Sequence, residues 1–342
     1  MDKSLCVLLC CPTIRLFGAT EIWNKHYQER YPSRCSHPLF NKRSFRPTDI
    51  LRSSPTFDKG FFSSASLVGL QNIRQISEDV LEKIPEDFPM ADFYGKVSEE
   101  SCVQPFTAVA LQECERMNVL LQEVRTSLKD IERGLKGELP WNEEMDELGD
   151  ALASDAVPQI WASKAYPSLL PLGSWFSDLL QRYRALHHWV SSDFALPPTM
   201  WLGGLFSPQS FLTAVIQTSG RKHDLPLDKL SIHCEVTKKM PDEFLLTPRE
   251  GANICGLYME GGRWDFAAGC IVDPLLKDLH PPMPVICLKS VLSDKVDVRN
   301  SYSCPVYRTR QRGSTFVWEF PLKTNEPPEK WVIAGTALLL QV

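Results

Sequence analysis

"MWLGGLFSPQSFLTAVIQTSGRK", Met200 to Lys222, decides how the chain divides. Before it, apolar residues recur at helical steps; after it, they alternate as in strands. Within it, Ser207-Pro208 reads as an N-cap followed by proline at the first helical position, where the missing N–H costs nothing. Phe211, Leu212, Val215 and Ile216 then form one buried stripe. Gly203 and Gly204 are expected to let the chain turn tightly between Trp201 and Phe206. The stretch has aromatic and glycine residues of the kind found in binding loops, but its polar residues do not assemble a reactive group. It is read as a structural corner.

Upstream lies a helical layer. "NIRQISEDVLEKIPEDF" spaces Ile73, Ile76, Val80, Leu81 and Ile84 by three and four and is stopped by Pro85, with Ser77 as a cap or first-turn residue. In "LQECERMNVLLQEVRTSLKDIERGLKG" the apolar set Cys114, Met117, Leu121, Val124, Leu128, Ile131, Leu135 steps 3-4-3-4-3-4. That predicts a helix of about 28 residues, roughly 40 Å long, ended by Gly134 and Gly137. Such a stripe suits a homodimeric coiled coil or one long helix lying on its own chain; three heptads favour the latter. "EEMDELGDALASDAVPQIW" continues as a short helix ended by Pro158. In "GSWFSDLLQRYRALHHWV", Trp175, Leu179, Tyr183, Leu186 and Trp189/Val190 share a face behind a Ser174 cap.

Downstream, "LSIHCEV" alternates Leu230, Ile232, Cys234 and Val236 inward. "ICGLYMEG", "PVICLKSV", "SYSCPVY", "STFVWEF" and "KWVIAGTALLLQ" are further short β-branched and aromatic runs between Gly, Pro and Asp turns. The predicted class is α+β: a helical part over 70–190 with one long helix, then over 191–342 a helix and a roughly six-stranded, barrel-like unit. Residues 1–65 show neither period and read as an irregular leader.

Charge follows the same division. Residues 1–60 carry +5, 61–190 carry −10, and 191–342 are balanced, giving the net −5. No global attraction to nucleic acid or an anionic membrane follows. The eleven cysteines include no C-x-x-C pair, and the later ones lie in apolar runs, so reduced thiols behaving as small hydrophobes are expected. The apolar run Leu5–Cys11 has poor flanking charge for a secretory signal, and no stretch approaches the ~18–20 apolar residues of a membrane span. A soluble, intracellular protein is the expectation.

Motifs for chemistry are sparse. The sequence contains no G-x-x-x-x-G-K-[ST], no G-x-G-x-x-G and no G-x-S-x-G. His187 and His188 are adjacent on a helix, pointing about 100° apart, and no H-E-x-x-H follows. Glu260 and Asp265 flank Gly261-Gly262 and Trp264; they read as a β-hairpin turn sooner than as an acid/base pair. Arg308, Arg310 and Arg312 offer an anion contact or, more simply, a solvated hairpin tip. No catalytic, cofactor-binding or metal residue is assigned, and no cofactor is expected.

The ordered series "MWLGGLFSPQSFLTAVIQ", "PLDKLSIHCEVTKK", "PREGANICGLYMEGGRWD", "MPVICLKSV", "YSCPVYRTRQRGSTFV" and "KWVIAGTALLLQ" resembles the C-terminal domain of dynein heavy chains, of axonemal type. "ISEDVLEKIPEDF" and the long helix resemble the helices before that domain's barrel, so the likeness covers about residues 70–342. Gly220 stands where many relatives have alanine. The resemblance implies a non-catalytic module that packs on the AAA+ ring of an ATP-driven microtubule motor and modulates it. It implies other dynein subunits and, indirectly, microtubules as partners, with no nucleic acid and no membrane. The implied places are cytoplasm, cytoskeleton and cilium axoneme. The alternative is a free-standing regulatory protein that docks to motor components, or competes for their docking surface.

Overall fold

The computed structural model describes residues 64–98, 102–292 and 300–342. Most of the expected leader lies outside them. The helices are α1 (Ser64–Lys83), α2 (Met90–Ser98), α3 (Pro105–Leu135), α4 (Glu143–Ala153), α5 (Gln159–Lys164) and α6 (Leu172–Ser191). Strand β1 (Met200–Trp201) and a 3-10 turn lead into α7 (Pro208–His223).

The long helix is 31 residues, about 46 Å at 1.5 Å per residue. Every stripe residue from Cys114 to Ile131 is at most 1% exposed, and Leu135 packs at the margin of the same core. The partners are in the same polypeptide: α1, α2, α4, α5, α6 and α7 all lie against α3. The apolar seam is therefore filled intramolecularly and is not a coiled-coil surface. Pro105 occupies the first turn, where a proline lacks nothing, which lets the helix begin six residues before Leu111, where the quoted stretch starts.

Helix starts elsewhere differ from the expected caps. Ser77 is interior to α1 and buried, its hydroxyl donating to the Ile73 carbonyl at 2.8 Å. Ser174 is the third residue of α6, whose N-cap position is Pro171. Ser207 is at the N-cap of α7, but its hydroxyl pairs with Ser210 Oγ at 2.8 Å and caps no amide. At the far end of α7, Gly220 has more consequence than composition suggests. A Cβ there would stand 2.8 Å from Leu227 Cδ2 and 3.2 Å from the Leu225 carbonyl oxygen.

The strand-rich part holds β2 (Leu230–Val236), β3 (Ala252–Cys255), β4 (Tyr258–Glu260), β5 (Arg263–Asp265), β6 (Cys270–Val272), β7 (Ile286–Leu292), β8 (Ser301–Tyr307) and β9 (Phe316–Lys323). Helix α8 (Pro328–Ile333) and strand β10 (Ala337–Leu339) follow. They form two open four-stranded sheets, β1-β3-β7-β2 and β4-β10-β8-β9, plus the β5-β6 pair. The barrel-like expectation is corrected. β2 and β9 approach each other but share no ladder, and β9 carries Pro321, whose missing N–H suits an edge strand. Two further readings change. "KWVIAG" is mostly helix, begun by Pro327-Pro328, leaving only three residues as strand. Gly261-Gly262 does not close a hairpin: β4 pairs with β10, whereas β5 pairs with β6 through the turn Phe266–Gly269.

Helices and sheets share one run of buried residues, from Ile73 on α1 through Phe211 on α7 to Phe320 on β9. Residues Ser63–Val342 form one compact unit.

Candidate functional site

The corner between helices and strands is held by charges brought from elsewhere. Gly203 and Gly204 keep negative φ, so they are not needed for a left-handed turn. They are needed for close approach: a Cβ on Gly203 would sit 2.7 Å from the Leu340 carbonyl oxygen, and one on Gly204 would sit 2.6 Å from the Trp201 ring. Gly256, with φ +77°, meets the same ring at Cδ1, where a Cβ would come within 2.2 Å.

Three ions then fix the main chain of 203–207. Arg182 of α6 is 3% exposed, stacks over the Tyr166 ring at 3.5 Å, bonds Asp178 at 2.7 Å and donates to the Gly203 carbonyl. Glu113 of α3, 2% exposed, accepts the main-chain N–H of Phe206 and of Ser207, the latter at 2.9 Å. Arg308, after β8, donates to the Phe206 carbonyl at 2.6 Å and to Gln209 Oε1 at 3.0 Å. Burial pushes the Glu113 carboxyl pKa up, opposed by the two amides and by Arg116 and Arg308. Burial likewise lowers the Arg308 pKa, with Glu113 opposing.

The candidates singled out from sequence take local roles. Glu260 pairs with Arg312 at 2.5 Å, and the same guanidinium donates to the Gly335 carbonyl at 2.7 Å, tying β4 to the end of α8. Asp265 instead accepts Ala267 and Ala268 N–H at 2.7 and 3.1 Å, which hold its carboxyl pKa below the usual value. The two carboxylates do not converge as an acid/base pair. Of the three arginines only Arg310 is exposed at a tip; Arg308 and Arg312 turn inward, so the solvated-tip reading fails for both. His187 and His188 are exposed on α6, His187 lying along Tyr183 and 3.3 Å from Ser191 Oγ. Among the described residues no three His, Cys, Asp or Glu side chains group as metal ligands. The seven described cysteines are free.

The strand-rich part presents several large apolar side chains to solvent. Leu245 and Leu246 are 85% and 82% exposed, Leu276 and Leu279 are 93% and 76%, and Ile333 is 86%. Their segments are linked: Val285 N–H reaches the Lys239 carbonyl, Met259 N–H reaches Pro281, and Lys330 pairs with Asp273 at 2.8 Å. Exposed apolar residues standing singly are ordinary, whereas grouped ones favour association.

A family model described as the C-terminal domain of the dynein heavy chain matches residues 49–340. The polypeptide belongs to the dynein heavy chain family. It is 51% identical over 272 residues to "Dynein beta chain, ciliary" of Heliocidaris crassispina, covering 80% of this sequence and 6% of that one. It is 49% identical over 292 residues to "Dynein axonemal heavy chain 17" of Mus musculus, covering 84% of this sequence and 6% of the relative. Against "Dynein axonemal heavy chain 9" of Homo sapiens the figure is 50% over 272 residues, again 80% of this sequence and 6% of the relative. It thus spans about 6% of the length of these relatives, and what it matches is the C-terminal domain rather than the ATPase modules.

The dynein match starts at residue 49, some twenty residues earlier than the resemblance in the sequence indicates, and takes in the end of the expected leader. The residues that sequence reading missed in this dynein domain are Glu113 and Arg182. A signal for both exists: Arg182 stands between Leu179 and Leu186 on the apolar face of its helix, and Glu113 adjoins Cys114 on the stripe of α3. A charge at a core position of a helix demands a buried partner.

Proposed function

We propose that this polypeptide is the non-catalytic C-terminal module of an axonemal dynein heavy chain, packing on the AAA+ ring of the motor and modulating its mechanics. The observation that carries the ring contact is the exposed apolar set around Leu245–Leu246, Leu276, Leu279 and Ile333. Free, such a surface favours self-association; covered by a ring of the same polypeptide, it is satisfied. The family's ATP-driven movement along microtubules then belongs to modules this sequence does not match, and the module reaches microtubules only through them. Cilium axoneme, cytoskeleton and cytoplasm are the places this assigns.

The test is a pull-down of a purified axonemal dynein ring fragment by this polypeptide, alongside a Leu246→Asp, Leu276→Asp, Ile333→Asp variant. Capture by the parent protein and its loss in the folded variant supports the reading; no capture, or equal capture by both, overturns it. The same reading divides the module at about residue 190 and sets its start near residue 70, so limited proteolysis should yield a resistant core beginning there.

A further inference from the structure

Ser-Pro and Thr-Pro dipeptides occur three times in the sequence, as Ser54-Pro55, Ser207-Pro208 and Thr247-Pro248. The first lies outside the described residues. At the second, Pro208 opens α7, the Ser207 hydroxyl pairs with Ser210 and the Ser207 N–H is held by Glu113. The third is placed differently. Thr247 is exposed, and residues 244–251 belong to no helix or strand. Among the described residues, no main-chain hydrogen bond ties down 245–250. Drawing this segment away from the surface therefore breaks no ladder and costs little. Pro248 disfavours the helical region for Thr247 and biases it to extended backbone, the shape in which a peptide threads an active site.

Thr247 also follows directly on Leu245 and Leu246, 85% and 82% exposed, in the apolar set proposed to meet the ring. We propose that Thr247 is a phosphorylation site for a proline-directed protein kinase, and that its phosphate closes this surface to the ring; the second part rests on the ring contact. Thr247 Oγ1 attacks the γ-phosphorus of ATP. The Oγ1–P bond forms as the bond to the β,γ-bridging oxygen breaks, ADP leaves, and the hydroxyl proton passes to a base of the kinase.

Phosphothreonine carries a charge of about −1.5 to −2 at pH 7. The exposed Arg249 offsets one charge at most. Covering the remainder among leucines takes away its water, which is costly for any ion. Docking should therefore weaken at least about tenfold, as expected for a phosphate placed in an apolar contact.

The test incubates the folded polypeptide with a cyclin-dependent kinase, ATP and Mg2+, and locates phosphate by peptide mass spectrometry. Thr247 should be modified and Ser207 not, and Thr247→Val should lose that one phosphate. No phosphate on Thr247 overturns the proposal. Capture of an axonemal dynein ring fragment is then compared before and after treatment. Treated parent should bind at least about tenfold more weakly, whereas treated Thr247→Val should bind as it does untreated; equal capture of treated and untreated parent overturns the closing role. If even the untreated parent captures no ring, the ring reading fails by itself. The mapped phosphate still decides the site, and light scattering decides its effect: the phosphate should reduce self-association through the exposed leucines, and unchanged self-association overturns that effect.

Discussion

Ser207 donates its main-chain N–H to the Glu113 carboxylate at 2.9 Å, across 94 positions of sequence. One buried side chain of the long helix thus fixes where α7 begins, and with it the handover from helices to strands. Glu113→Ala strips the partner from two amides at once and should cost about 3 kcal/mol in urea unfolding, since each buried donor left unpaired costs about 1–3 kcal/mol.

Glu113→Gln adds a pH test. Burial raises the folded-state pKa of this carboxyl above its ordinary 4.5, so ionisation weakens the folded protein. The group's unfavourable share is present above the raised value, shrinks as pH falls through it and is gone below the unfolded value. The parent protein should therefore gain stability relative to Glu113→Gln as pH falls across that window. A difference independent of pH there would contradict the assignment.

Leu121 is fully buried in the α3 stripe, while Val119, two residues away, is 50% exposed. Leu121→Ala should lower stability by about 2–5 kcal/mol through the cavity it leaves, and Val119→Ala by less than about 0.5 kcal/mol. Neither should change the oligomeric state in light scattering, because the seam is occupied within the molecule.

Gly256 and Trp201 form a tight crossing in which the glycine has positive φ and no space for a Cβ. Gly256→Ala should cost about 2–4 kcal/mol, combining left-handed strain with overpacking. In a Trp201→Ala background the penalty should drop by about 1 kcal/mol or more, because the ring that the new methyl strikes is gone.

Cysteine alkylation should divide by depth. Cys102 is exposed, whereas Cys114, Cys234 and Cys304 are buried in apolar surroundings that push their thiols up. Cys255 is pushed up to about 11, leaving on the order of one thiolate in a thousand at about pH 8. Peptide mapping after iodoacetamide should find Cys102 labelled in the native protein and the buried thiols labelled only on unfolding.

Much of this was legible from spacing alone. The stripe from Cys114 to Ile131, the alternation in Leu230–Cys234 and the strand Ser301–Tyr307 are local patterns, and burial enforces them residue by residue. Sheet closure was not, because it depends on whether β2 and β9 meet in register, which no run of adjacent residues encodes. "KWVIAG" misled for a related reason: Trp331, Val332 and Ile333 favour strands, but Pro328 and the packing of Trp331 impose one helical turn and leave Val332 and Ile333 outside. The corner's ions were hidden differently. Glu113 and Arg308 are 195 positions apart, and only folding brings both to Phe206.

Strand β10 lies between β4 and β8, antiparallel to one and parallel to the other. A product stopped before Ala337 would lose an inner strand rather than a fringe, exposing two unpaired rows of main-chain amides and carbonyls at once. Frameshifts and nonsense codons affecting these few residues should therefore behave as whole-domain lesions, removed by quality control or deposited as aggregate.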